Sequence, residues 1–507
     1  MEAQGFVYAT RIISYIKAHE GQYLRDTNNV LHILLEGRRI PLNFNRDNYS
    51  LAGLVLAACH VSTLSPAAQA AIQRLQVHAA TEASRIALRQ FSAVSQDGAR
   101  LYLPLADGKL LQVSESDISL VPNGKGEDAI WLEHPTGDPL QYTSGDTAAR
   151  LANFERLIVN TQACRIPEMR WFVAMNEALF PFVRDLSPAR LILVHIGRSQ
   201  QGKTTGAGRF VILLGLGDVL GDFTVAALGN AGDLGLLVLD NKEQSNLSPS
   251  LIEFLLYVST GAKRGRATSE GALRLSSYRP AVVITSIEGL FRSELRRRSV
   301  EIEYDLGSSQ PTRRGLNEGE IRHERHGILS ALVLVLQRFF QIRRESRPTP
   351  SPIPEFSEHF TILADLLRAY ADIAGKPTGW AEDVIQAWAA NIKPHEPEES
   401  ELEQPLLRLT QEARDDFDIQ NLSWSGREGE LFVTDATRLL SALQRLSIPH
   451  LSIPRTSVGL GHRLRSDSFQ AIQVLDERTA PNVEPLRRQG RRRLIGLFVP
   501  NDSYDSR

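Results

Sequence analysis

The chain has only two cysteines, Cys59 and Cys164, in 507 residues. So few, and so far apart, argue against a disulfide framework and suit a reducing cytosol. No run approaches the ~18 consecutive apolar residues of a membrane span, so no contact with a membrane is expected. The opening MEAQGFVYATRI lacks a basic segment followed by an apolar core, so no signal peptide is expected. No repeat of fixed period is visible. Charge of one sign is missing too: 57 Lys and Arg face 59 Asp and Glu, a net of -2. Such a molecule is not an electrostatic glove for nucleic acid, and any basic surface has to be local. No His, Cys and carboxylate spacing resembles a metal site, and His32 and His60 read as ordinary surface or core histidines. No acidic-pair polymerase or primase site is visible.

What is there begins at residues 191–205, LILVHIGRSQQGKTT. An apolar strand runs into Gly197, and Gly197-x4-Gly202-Lys203-Thr204 fits the phosphate-loop pattern G-x-x-x-x-G-K-[ST]. Glycines let the backbone curl so that N–H groups point at phosphate oxygens. Lys203 would reach the β- and γ-phosphates of ATP, and the Thr204 hydroxyl would ligate Mg2+. Gln201 and Thr205 flank these positions. The spacing predicts a helix over 204–214 whose positive end faces the phosphates.

A second buried strand ends in Asp240, in LGLLVLDNKE, where a carboxylate would hold Mg2+. The next residue is Asn241, which leaves Glu243 as a candidate water-activating carboxylate; alternatively Asn241 or another residue orients the water. A third strand, in RPAVVITSIEG, carries Thr285 and Ser286 at its end. Thr285 can touch the γ-phosphate or the attacking water, or cap a helix from Ile287 onward; both can hold. The following helix is read as carrying Arg292, Arg296, Arg297 and Arg298, before the strand VEIEY. One of these arginines can cross a subunit boundary and stabilise phosphoryl charge, or the run is a solvated face.

Between the second and third strands lies GAKRGRATSEGALRLSSYR, with Lys263, Arg264, Arg266 and Arg274 and a turn at 269–271. It reads as a basic hairpin that tracks a DNA backbone, or else a solvated or intersubunit loop.

At this length about three or four domains are expected. Residues 1–140 read as an α+β domain of unknown role, with three strands in 22–42, helices at 49–60 and 65–91, and a small sheet over 100–133. Residues 141–187 read as a helical collar, 188–310 as an α/β nucleotide core, and 311–395 as a helical region. The acidic, Pro-rich KPHEPEESELEQP marks the start of a domain over 400–507. Three helices and a strand pair there suit a winged helix. Arg463 and Arg465 fall on the third helix, and Arg487, Arg488, Arg491, Arg492 and Arg493 where the wing would be. Such modules bind duplex DNA or dock proteins.

The order GRSQQGKTT, LLVLDNKE, STGAKRGR, RPAVVITSIEG, ELRRRSVEIEY and a winged-helix-like tail resembles the AAA+ ATPases of phages, plasmids and mobile elements. These are relatives of superfamily three helicases and of the helicase half of poxvirus-type primase-helicases. The resemblance covers about residues 140–500. It implies an ATP- and Mg2+-dependent ring, a hexamer, with ATP sites between subunits, acting on replicating DNA with one strand threaded through its centre. By the same resemblance Gly202, Lys203, Thr204 and Asp240 match the phosphate and Mg2+ positions, Thr285 the sensor, Arg298 or Arg297 the finger, and Lys263 and Arg264 the pore element. Asn241 departs from a common second acid, and Ser286-Ile287 from a usual Asn. Priming activity does not carry over.

Overall fold

A computed structural model describes residues 2–26, 29–35, 38–42, 48–124, 128–217, 219, 221, 234–242, 247–261, 263–267, 273–277, 279–287, 289, 293–306, 314–345, 349–392, 406, 409, 420–423, 429–445, 460, 464, 473–475 and 494–500. The chain opens on a helix, Glu2–Ala18, which the sequence reading did not anticipate. An antiparallel meander follows: β1 (Gln22–Arg25), β2 (Leu31–Leu35) and β3 (Arg38–Pro41). Two helices pack against it, Tyr49–Cys59 and Pro66–Glu82, started by Asn48 and Ser65 as N-caps. Ile12, Ile33, Val55, Ile72 and Leu75 form their shared core.

The second of these helices stops at Glu82, short of the expected residue 91. Ala83 turns extended, and β4 (Ser84–Arg85) and β5 (Ala87–Gln90) pair in parallel with β1 and β10 (Ile130–Glu133). Between them Ile86 is buried with Leu24, Leu34 and Trp131, so strand pairing across the domain overrides a helix-like run. β6 (Ala93–Val94), β7 (Arg100–Pro104), β8 (Lys109–Ser114) and β9 (Ile118–Pro122) form an antiparallel sheet. β10 leaves that sheet, where simple continuation is expected, to join β5.

A helical stretch comes next: Thr147–Phe154, Met169–Ala174 and Phe180–Val183, interrupted by π turns at Glu155–Val159 and Met175–Leu179. It delivers the chain to a four-stranded parallel sheet of β11 (Ile192–Ile196), β12 (Leu236–Leu239), β15 (Ala281–Ser286) and β16 (Ser299–Glu303), in the order β12-β15-β11-β16. Parallel strands are covered on both faces, so their sequences are nearly all apolar. Side chains still alternate. Ile192, Val194, Val282 and Ile284 meet the helix Pro249–Thr260 on one face. Leu193, Ala281 and Val283 meet the other core, which holds Phe172, Phe210, Leu332, Phe339 and Trp388. The fold is thus mixed α/β, with β13 (Lys263–Ala267) and β14 (Leu273–Ser277) forming the expected antiparallel hairpin.

The helices Arg314–Glu345, Ser357–Ile373 and Trp380–Asn391 pack on that core. The tail differs from expectation. β17 (Gln420–Ser423), β18 (Gly429–Asp435), β19 (Gln473–Leu475) and β20 (Leu494–Pro500) form one antiparallel sheet in the order β17-β18-β20-β19. TDATRLLSALQRLSI and SVGLGHRLRSDSFQAIQVL read as helices, but residues 434–435 lie in β18 and 473–475 in β19, and the helix Ala436–Arg445 begins after Asp435. Apolar Leu431, Val433, Leu475 and Phe498 supply the reason, burying one another across the sheet. Among the described residues no helix is long and apolar enough to cross a membrane.

Candidate functional site

β11 ends at Ile196, and the chain curls through residues 197–202 before the helix Lys203–Leu214. Gly197 (φ 148°), Gln200 (φ 67°) and Gly202 (φ 83°) all have positive φ. At Gly197 a Cβ would stand 2.5 Å from the Tyr304 carbonyl oxygen, so both backbone angle and close approach require glycine there. The amide of Gly206 makes the first intrahelical bond, to Gly202 O at 2.7 Å. The amides ahead of it face the curl at the helix's positive end. Lys203 is largely buried and folds over the same loop, donating to Gly197 O and, at 2.9 Å, to Arg198 O. The Gln201 side chain accepts the Leu306 amide at 2.6 Å, tying the loop to the chain beyond β16.

The other end of this helix is held as firmly. Arg325 donates from Nε to Leu213 O at 3.0 Å and pairs with Asp138 at 2.9 Å. His134 Nε2 lies 3.1 Å from Leu214 O. A cation and an imidazole thus satisfy the carbonyls at the negative end. Burial and the neighbouring guanidinium hold the His134 imidazole down to about 4, although its bond to the carbonyl opposes this.

Parallel register brings the remaining groups in. β12 and β15 align Leu239 with Ile284, so Asp240 stands beside Thr285. Asp240 Oδ1 accepts the Thr204 hydroxyl at 2.6 Å and the Thr285 hydroxyl at 2.6 Å. Thr285 Oγ1 also accepts the Asn241 amide at 2.9 Å, and its carbonyl accepts the Lys242 amide at 2.9 Å. Asn241 has φ 51°, a left-handed turn held by that bond. Thr285 therefore serves Asp240 and Asn241, and among the described residues neither Ile287 nor Gly289 is helical. Hydroxyl and carboxylate in contact are hard oxygen donors, the kind Mg2+ takes together with phosphate oxygens and water. Among the described residues no group of three His, Cys, Asp or Glu could hold a metal ion by itself.

The structure thus brings together Gly197, Gln201, Gly202, Lys203, Thr204, Asp240, Asn241 and Thr285, with Thr205 on the first turn of the helix. Other candidates lie elsewhere. Arg297 and Arg298 follow the helix Ser293–Arg296 in a turn instead of sitting on it. The Arg298 carbonyl accepts the Ile192 amide at 2.8 Å. That puts both arginines at the amino end of the sheet, a strand's length from this chain's own Asp240. Lys263, Arg264, Arg266 and Arg274 lie on the hairpin. Glu243, Arg292, Arg463, Arg465, Arg487, Arg488, Arg491, Arg492, Arg493 and the hairpin tip 269–271 lie outside the described residues. His32 is buried against Asp26 at 3.2 Å, and His60 closes a helix at φ 54°, as ordinary histidines do.

Sequence reading missed Glu177, His195 and Tyr304, which sit directly beneath the loop. Glu177 and His195 are signalled by an ionisable residue inside each of two apolar-rich runs, MNEALF and LILVHI; Tyr304 carries no such sign.

No family model matches the chain, and no curated protein matches it. Among solved structures it is similar to ones of the following three kinds. An SCCmec type IV Cch active helicase is 13% identical with a TM-score of 0.46, over 94% of this chain and 92% of that one. The apo NrS-1 C-terminal region is 11% identical with a TM-score of 0.32, over 64% and 68%. JCV helicase is 16% identical with a TM-score of 0.25, over 49% and 66%. Likenesses at this level do not establish an activity, and the functional reading rests on the site's own geometry.

Proposed function

We propose that the chain is an ATP-dependent DNA helicase or translocase of a mobile element, working as a ring. The observation that carries this reading is the convergence of Thr204 and Thr285 on Asp240 Oδ1, beside a glycine curl that opens a helix N-terminus. Gly197, Gln201, Gly202 and Thr205 shape a cradle whose amides bind the triphosphate. Lys203 exchanges its carbonyl partners for β- and γ-phosphate oxygens. Thr204 and Asp240 would hold Mg2+, which neutralises charge on the phosphates when bound. Thr285 orients Asp240 and holds the Asn241 turn, while Asn241 or Glu243 positions the attacking water. Arg297 or Arg298, remote from its own site, serves the site of a neighbouring subunit, which requires an oligomer.

Strand register supports the DNA contact. The antiparallel register pairs Arg266 with Arg274 and Arg264 with Ser276. Like charges opposite one another are destabilising alone and favourable under a polyanion. The C-terminal arginines at 463, 465, 487, 488 and 491–493 would add a duplex contact.

A second reading is a nucleotide-gated initiator, loader or defence switch that hydrolyses ATP without unwinding. Asn241 favours it, because an amide stands where many motors carry a second acid. A forked-DNA displacement assay with ATP and magnesium separates the two. The helicase reading expects strand release that is lost in Lys203→Ala; ATP turnover without release supports the switch instead.

A further inference from the structure

Beneath the loop lies a cluster that neither nucleotide nor DNA would touch. Glu177 and His195 are each 0% exposed, with Oε1 and Nε2 2.8 Å apart. Glu177 stands on the π turn Met175–Leu179, a local widening of the helix that is frequent at functional sites. His195 is in β11, two residues ahead of Gly197. Its ring lies 4.6 Å from that of Tyr304, at an interplanar angle of 31°.

Tyr304 reaches both ends of the curl. Its amide donates to Ile196 O at 2.8 Å, and its carbonyl is the atom that crowds Gly197. Its hydroxyl donates to Gln162 Oε1 at 3.0 Å. That same oxygen lies 2.6 Å from where a Cβ on Gly206 would be, in the first turn of the helix. The path from the buried carboxylate to Gly197 and Gly206 is therefore continuous contact.

We propose that Glu177, His195 and Tyr304 are positioning residues of the nucleotide site: the buried Glu177–His195 pair fixes the Tyr304 ring and through it the curl at Gly197. The inference rests on the nucleotide reading above and deepens it. Stability does not account for the pair, because buried ion pairs are often replaced by apolar residues at no cost. Burial raises the Glu177 carboxyl, and the adjacent imidazole opposes the rise, so the pair persists against the preference of a dry interior for neutral packing. What an apolar pair lacks is direction. The Glu177 carboxyl, 2.8 Å from Nε2, limits where the imidazole can sit, and the imidazole ring packs on that of Tyr304.

The test compares Glu177→Leu with Glu177→Gln in steady-state ATP hydrolysis, with melting temperature measured alongside. Loss of positioning before the chemical step raises KM with kcat nearly unchanged. Glu177→Leu is expected to raise KM for ATP about tenfold, as when binding common to substrate and transition state is weakened. Glu177→Gln, which keeps a polar side chain of the same shape beside His195, restores KM to within about threefold of the parent. Should Glu177→Leu fail to fold, the double variant Glu177→Leu/His195→Phe repacks the site with apolar groups and carries the same expectation. A parent-like KM in the folded Leu or double variant, with only the melting temperature moved, overturns the inference. Failure of the nucleotide reading looks different: the parent itself then shows no ATP binding that depends on Lys203.

Discussion

Thr285 offers the sharpest perturbation of the site. It is almost fully buried, and its single hydroxyl makes two contacts: it donates to Asp240 Oδ1 at 2.6 Å and accepts the Asn241 amide at 2.9 Å. Thr285→Val keeps the shape and removes both. A hydrogen bond to a charged acceptor contributes about 1.5–3 kcal/mol. If that energy holds Asp240 where the reaction needs it, its loss lowers kcat/KM about 10- to 100-fold, at ~1.4 kcal/mol per factor of ten. Leaving the Asn241 amide without its acceptor also costs about 1–3 kcal/mol of stability. Thr285→Ser retains the hydroxyl, gives up one methyl group and should stay within about threefold of the parent in turnover. The assay is steady-state hydrolysis of magnesium ATP by the parent and both variants, with urea unfolding alongside. A Val variant that is folded and turns over ATP within about twofold of the parent would refute the idea that this hydroxyl organises the site.

Three further expectations follow from other parts of the molecule. Arg325→Met strips the Leu213 and Asp138 partners from the C-terminal end of the Lys203–Leu214 helix, and should lower unfolding free energy by about 2–4 kcal/mol in urea titration. Stability should also fall in mild acid. Burial holds His134 down to about 4 and His359 down to about 3, against 6.5 for the ordinary group, so the unfolded chain binds more protons between these values. That contribution is complete above about pH 6.5 and is lost as pH drops through the folded values, with His134 alone worth about 3 kcal/mol. His134→Gln should flatten the slope of unfolding free energy between pH 6.5 and 4; an unchanged slope counts against the assignment. On the hairpin, replacing Arg264, Arg266 and Arg274 with serine should reduce the salt slope of single-stranded DNA binding by about 2, at ~0.7 per phosphate contact, and an unchanged slope counts against the DNA contact.

What could be read from sequence was what local chemistry dictates. The curl at Gly197 and Gly202 is written in adjacent residues, and so are the apolar strands around Val194, Val238 and Val283. The basic hairpin is legible for the same reason, since both of its strands lie within 15 residues. What escaped depends on partners far along the chain. Residues 84–90 are strand because Arg25 and Trp131 lie beside them, not because of their own composition. β18 and β19 exist by pairing with β20. Glu177 meets His195 across two elements, and the contact between Thr285 and Asp240 depends on strand register. The first of these has only one local sign, a charged residue in a buried run, and that sign does not name its partner.

The most direct test of the central claim is equilibrium binding of ATP in the presence of magnesium, followed by calorimetry on the full chain and on Lys203→Ala. The account predicts one saturable site per chain in the parent and a loss of affinity of at least tenfold in the variant, the order expected when a charged phosphate contact is removed. No binding by the folded parent, or equal affinity in parent and variant, would contradict it.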